Sequence, residues 1–141
     1  MIEVKNISKS YGEKKQKILA VDNISFSVED GEIFGLIGPD GSGKTSIFRM
    51  LTTVLLPDSG NAEIDRFDVI KDYKKIRQIL GYMPGKFSLY QDLTVEENLE
   101  FFASVFNTTI AENYDLIKDI YQQIEPFKDR KAGKLSGGMK Q

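Results

Sequence analysis

The stretch "GLIGPDGSGKTSIF", residues 35–48, decides the fold. It sits at the end of an apolar run, "EIFGLIG" at 32–38, and passes through a glycine-rich segment to Lys44, Thr45 and Ser46. A short continuous apolar run is expected of a strand covered on both faces in a parallel sheet. From Gly43 the apolar spacing turns helical, with Ile47, Met50, Leu51 and Val54 on one stripe. "LPDSG" at 56–60 then supplies turn chemistry. The predicted order is strand, glycine loop, helix.

"GPDGSGKT", Gly38 to Thr45, matches G-x-x-x-x-G-K-[ST] in full. Each fixed position has a physical reason. Phosphate groups present several anionic oxygens within a few ångströms, and wrapping them needs backbone N–H groups turned inward. β-Carbons obstruct those dihedrals, and Gly41 and Gly43 remove the obstruction. A helix beginning near Gly43 aims its positive end at the same charge. Lys44 adds a mobile cation, and the Thr45 hydroxyl is placed to ligate Mg²⁺. Gly38, Pro39, Asp40, Gly41, Ser42, Gly43, Lys44, Thr45 and Ser46 are therefore the candidate phosphate-binding residues. Asp40 is unusual there because a carboxylate repels phosphate. It either points to solvent or serves as a turn former.

Elsewhere, "IEVKNI" (2–7) and "ILAVDNISFSV" (18–28) alternate apolar and polar residues and predict an antiparallel layer of half-exposed strands. A short strand follows around Ala62–Ile64, then a polar helix through about Asp72–Arg77, then a strand at "ILGYM", 79–83. Thr94-x-x-Glu97 has capping-box form ahead of Val95, Leu99, Phe102 and Phe106. Tyr114, Ile117, Tyr121 and Ile124 make the next apolar stripe, ended by Pro126. The class is α/β with a helical insertion.

Composition sets the outer bounds. The chain has 141 residues, 40% apolar and 28% charged, as in an ordinary soluble domain. A net charge of −2 gives no bulk attraction for nucleic acid. With neither cysteine nor histidine, a disulfide framework is excluded and a zinc centre is disfavoured. No run approaches the ~20 apolar residues of a membrane span, and the first residues lack signal-peptide patterning. A cytosolic protein is the default expectation.

A second glycine cluster, "LSGGMKQ" at 135–141, carries Ser136, Gly137 and Gly138. Two readings fit. Ser136 can simply cap a C-terminal helix, or the three residues can offer a second set of N–H donors to a γ-phosphate. In the second reading one chain owns two phosphate-binding surfaces, so two chains would share each nucleotide.

Taken in order, Tyr11, "GPDGSGKT", "GYMPGKFSLYQDLTVEENL" and "LSGGMKQ" resemble the nucleotide-binding domain of ATP-binding cassette (ABC) proteins over essentially the whole chain. The resemblance implies a P-loop NTPase (RecA-like) α/β core with an N-terminal antiparallel β layer at about 1–84. A helical subdomain carrying the signature would occupy about 85–141. It implies a head-to-tail dimer with a second such domain, ATP and Mg²⁺ lying between Lys44 and the 41–46 backbone of one subunit and Ser136–Gly138 of the other. It further implies a transmembrane permease partner at the cytoplasmic face of the membrane. Tyr11 matches the adenine-stacking aromatic, against the plainer reading of a tyrosine packed on an edge strand. "FSLYQDLTVEENLEFF" and "SGGMKQ" look like the ABC-2-type exporters. Phe87 and Tyr90 suit partner contact, though the same stretch reads equally as a capped amphipathic helix with its entry loop.

The sequence departs from the family pattern in places. Gly85 stands where a glutamine touching Mg²⁺ and the attacking water is usual, and Met139 stands where glutamine is commonest. The Walker B aspartate, the catalytic glutamate beside it and the switch histidine lie beyond the signature in the family. The chain therefore reads as the N-terminal part of an ATPase subunit, expected to bind nucleotide without hydrolysing it, with exposed sheet edges that favour self-association. The basic runs "KKIRQ" and "KDRKAGK" read as solvated faces. Two alternatives are a soluble ABC-type ATPase with no membrane partner and a small P-loop kinase or GTPase, for which Ser-Gly-Gly at a helix start has no purpose.

Overall fold

A computed structural model describes residues 1–13, 16–85 and 88–140, the last by its backbone. The chain divides into two compact units, Met1–Tyr82 and Met83–Gln141. The division falls two residues ahead of the 84/85 junction expected from the sequence.

The first unit holds β1 (Ile2–Tyr11), β2 (Ile18–Val28), α1 (Lys44–Leu51), β3 (Ser59–Ile64), β4 (Phe67–Asp68) and α2 (Tyr73–Ile79). Its strands form one antiparallel sheet in the order β2-β1-β3-β4. Val4, Ile7, Val21, Ala62 and Ile64 from the strands pack against Ile47, Met50 and Leu51 of α1 and Ile76 of α2. Strict alternation from Val4 would turn Asn6 inward and Ile7 outward. The pairing instead slips between Val4 and Ile7, with Asn6 at φ 53°, and Ile7 returns to the core fully buried.

Helix α1 stops at Leu51, and Val54 and Leu55 both turn back to donate to Arg49 O at 2.9 Å. Val54 therefore leaves the expected stripe and is exposed. Thr53, buried at φ 59°, is held by Arg77 of α2, whose Nε donates to its Oγ1 at 2.8 Å and Nη2 to its carbonyl at 2.9 Å. This clamp ties the exit of α1 to α2.

Two expected strands do not form. Among the described residues no strand pairs with 32–38, and Ile33 and Ile37 are fully exposed. Ile79 ends α2, and the residues from Leu80 to Met83 run unpaired. The reason is cooperative. A strand is a shared hydrogen-bonding state, and apolar content cannot create it without a neighbouring backbone. The run at 32–38 is anchored by side chains, with Leu36 packed on the core and Phe34 stacked on Phe26 at 5.1 Å.

The second unit holds α3 (Val95–Val105), α4 (Ile110–Ile124) and short 3-10 turns at Glu125–Phe127, Ala132–Lys134 and Gly138–Lys140. Val95, Ala132 and Leu135 form its core, with Leu89, Leu99, Ile124, Phe127 and Met139 packed around them. Backbone bonds from Ala132 to Leu93 O (2.8 Å) and Val95 to Arg130 O (3.1 Å) stitch the entry of α3 to the segment before the glycine pair.

Both helices begin with capping boxes, at Thr94/Glu97 as expected and also at Thr109/Glu112. The Thr94 N–H, and then its hydroxyl, hold the Glu97 carboxyl below its usual range. Glu112 is lowered likewise, first by the Thr108 hydroxyl at 2.8 Å and then by the Thr109 N–H at 2.9 Å. A carboxyl whose folded pKa lies below its unfolded value of about 4.3 contributes stability above that value. The contribution disappears as pH falls through the folded pKa. We expect α3 and α4 to lose helicity below about pH 4, read by far-UV circular dichroism. Paired Glu97→Gln and Glu112→Gln substitutions should flatten that acid limb, and an unchanged limb would contradict the assignment.

Candidate functional site

The chain passes from the unpaired run into a turn, with Ser42 N–H donating to Pro39 O at 3.2 Å, and then into α1. Gly43 is the N-cap of that helix at φ 88°, ψ −1°. A β-carbon at Gly43 would fall 2.1 Å from Ala20 O of β2, so the loop backbone lies directly against the sheet. Gly41 is at φ 82° in open space, where only its backbone conformation calls for glycine.

No side chain caps α1. Its first intrahelical bond runs from Ile47 N–H to Gly43 O at 3.0 Å, so the N–H groups of Lys44, Thr45 and Ser46 precede the ladder and have no backbone partner among the described residues. Lys44 Nζ donates to Gly38 O at 2.6 Å and Pro39 O at 2.8 Å, curled over the loop. Among the described residues no carboxylate pairs with this ammonium. Its positive charge and the uncapped helix end therefore add to one another.

These groups open onto a cavity of about 340 Å³ lined by Tyr11, Ala20, Asp40, Gly41, Ser42, Gly43, Lys44, Thr45 and Ser46. Gly38 and Pro39 contribute through the carbonyls that hold Lys44. Asp40 is exposed at the rim, and Thr45 is exposed as well. Tyr11 ends β1, where it pairs with Ile18 of β2, while the pairing of β1 with β3 stops at Ser8 and Ser59. Its hydroxyl meets Ser46 Oγ at 2.9 Å. N–H donors ahead of the helix ladder, beside a lysine charge that no described carboxylate neutralises, suit a phosphate chain. No group of three or more acidic side chains able to hold a metal is found among the described residues.

Ser136, Gly137 and Gly138 belong to the second unit and are exposed. The helix expected after them is a single 3-10 turn, Gly138–Lys140. Gly85 is also exposed, and a β-carbon there would meet nothing within 4 Å among the described residues. Tyr90 packs edge-on against Phe101 at 5.0 Å between centroids, whereas Phe87 lies outside the described residues. Of the basic runs, Lys128 pairs with Glu96 at 3.1 Å and Arg130 stacks on Phe127 at 4.8 Å.

Sequence reasoning missed Asn98, which is buried. Its Oδ1 accepts from Tyr90 N–H at 2.8 Å, and its Nδ2 donates to Tyr90 O at 3.0 Å and Thr94 O at 2.8 Å. One signal was available: Asn98 interrupts the apolar stripe that Val95, Leu99 and Phe102 define.

An uncapped helix behind a glycine loop, closed by a lysine and set against a sheet, defines a P-loop NTPase fold. The chain belongs to the ABC transporter family, whose family model, described as "ABC transporter", matches residues 21–141. It is 45% identical over 124 residues to the probable multidrug ABC transporter ATP-binding protein YbhF of Escherichia coli K12, covering 86% of this chain and 22% of that protein. It is 31% identical to the ABC transporter ATP-binding protein NatA of Bacillus subtilis, covering 100% and 58% respectively. The dimeric cassette MJ0796 bound to ADP and Pi superposes with a TM-score of 0.81 at 26% identity, covering 99% of this chain and 65% of that one. The chain thus spans less than two thirds of the length of each of these proteins.

Proposed function

We propose that this chain forms the phosphate-loop part of the ATP-binding subunit of an ABC exporter. The observation that carries the reading is the Lys44 ammonium, without a carboxylate partner among the described residues, beside the uncapped N–H groups of residues 44–46. On binding ATP, Lys44 exchanges the Gly38 and Pro39 carbonyls for β- and γ-phosphate oxygens. The 41–46 backbone donates to the remaining oxygens, and the Tyr11 ring supplies a platform for adenine. Mg²⁺, when bound, neutralises phosphate charge, with Thr45 as its protein ligand. Ser136, Gly137 and Gly138 serve the γ-phosphate of a second ATP-binding domain in a head-to-tail pair. The exposed Tyr90 face contacts a transmembrane permease at the cytoplasmic side of the membrane. No helix among the described residues is long and apolar enough to cross a membrane. Export is favoured by likeness to the Nod factor export ATP-binding protein I of Burkholderia lata, 36% identical over 141 residues and covering 45% of that protein.

Hydrolysis needs a general base within hydrogen-bond reach of water. Among the described residues the cavity offers only Asp40 as a carboxylate, and the sequence has no histidine. The 141-residue chain should therefore bind ATP and release no phosphate. Calorimetric titration should give affinity rising from adenosine through AMP and ADP to ATP. Equal affinities along that series would overturn the reading of the loop. Phosphate release abolished by Lys44→Ala would overturn the expectation of inactivity.

A further inference from the structure

The Tyr11–Ser46 contact joins residues 35 apart in sequence and takes no part in holding Lys44 or in opening the helix end. Ser46 is 9% exposed and sits in the first turn of α1, lining the cavity. A serine within a helix commonly returns its hydroxyl to the carbonyl four residues back. Here the hydroxyl reaches sideways to β1 instead.

We propose that Tyr11 is a positioning residue for phosphate, its hydroxyl donating to Ser46 Oγ and so turning the Ser46 proton into the cavity. Donor counting fixes the direction. A hydroxyl has one proton and two lone pairs. In the structure either oxygen of the pair can be the donor. Phosphate oxygens bearing negative charge only accept, so once phosphate occupies the cavity the Ser46 proton goes to it. Tyr11 must then supply the proton between the two hydroxyls. The result is a directed chain, Tyr11 O–H to Ser46 O–H to phosphate, in which each bond polarises the next.

A second consequence concerns the ring. Tyr11 is fixed at its backbone by pairing with Ile18 of β2 and at its hydroxyl by α1, leaving the residue 39% exposed between them. The platform is oriented before a base arrives, so less freedom is lost on stacking. Phenylalanine would keep the ring and lose both the orientation and the proton. The proposal rests on the nucleotide reading above and extends it to the choice of tyrosine at position 11.

The test is a double-mutant cycle on the 141-residue chain, with ATP and GTP titrated calorimetrically. Tyr11→Phe should raise the Kd for ATP roughly three- to tenfold, the loss of one hydrogen bond to a polarised group. The same fold loss is expected for GTP, because the hydroxyl does not read the base. In a Ser46→Ala background Tyr11→Phe should cost nothing further. In a Ser46→Thr background, which restores a hydroxyl, the cost should return. Native affinity in Tyr11→Phe, or full additivity with Ser46→Ala, overturns the proposal. Thermal unfolding of each variant separates loss of the contact from loss of the fold, and the Ser46→Thr arm decides where Ser46→Ala fails to fold. Lys44→Ala distinguishes the two levels. If it leaves ATP affinity intact, the nucleotide reading itself fails; if it weakens binding while Tyr11→Phe does not, only this proposal fails.

Discussion

Replacing Lys44 by alanine is expected to raise the dissociation constant for ATP by about one to two orders of magnitude, with little change in thermal stability. Hydrogen bonds between an ammonium and phosphate oxygens contribute about 1.5–3 kcal/mol for each pairing, close to tenfold per 1.4 kcal/mol. The folded protein loses less. The carbonyls of Gly38 and Pro39 that now hold Nζ belong to exposed residues, and water can replace the lost donor. Lys44→Arg should rescue poorly. A planar guanidinium lacks the compact head that fits over the loop between two carbonyls and a phosphate. Calorimetry and thermal unfolding on the same samples check both parts. An unchanged Kd would remove the ammonium from the binding account.

Asn98→Ala should produce the largest stability loss among single substitutions in the second unit, about 2–4 kcal/mol. The Asn98 amide behaves as a backbone surrogate, accepting from and donating to Tyr90 while also donating to Thr94 O. It closes the entry loop onto α3 where no strand is present to do so. Alanine leaves the Tyr90 N–H and two carbonyls without those partners, around a position only 1% exposed. The substitution Asn98→Asp would be no remedy, since a carboxylate brings acceptors where carbonyls need a donor. Urea unfolding gives the energy, and hydrogen exchange at the Tyr90 amide localises it. A loss under about 1 kcal/mol, with Tyr90 exchange unaltered, would show that the clamp is incidental.

The local elements are open to reading because their causes are local. The phosphate loop follows from glycines at positive φ beside a lysine, and the Thr94 box from two residues three apart. Helix α1 follows from the spacing of Ile47, Met50 and Leu51. The helix starting at Ile110 is visible in its apolar stripe, although the stripe alone does not reveal the capping box at Thr109.

The runs at 32–38 and 79–83 look like strands and are not, because apolar content says nothing about whether a partner backbone lies alongside.

By itself, then, the sequence determined that this chain carries a glycine loop, a lysine and an amphipathic helix in the order that binds phosphate, since dihedral preference and periodicity act over a few residues. Only the tertiary structure decided which strands pair and that Ile7 turns inward past Asn6. It alone decided that Asn98 clamps Tyr90, that Arg77 holds Thr53 and that the Tyr11 hydroxyl meets Ser46. Those outcomes depend on contacts between distant parts of the chain, whose geometry no local preference encodes.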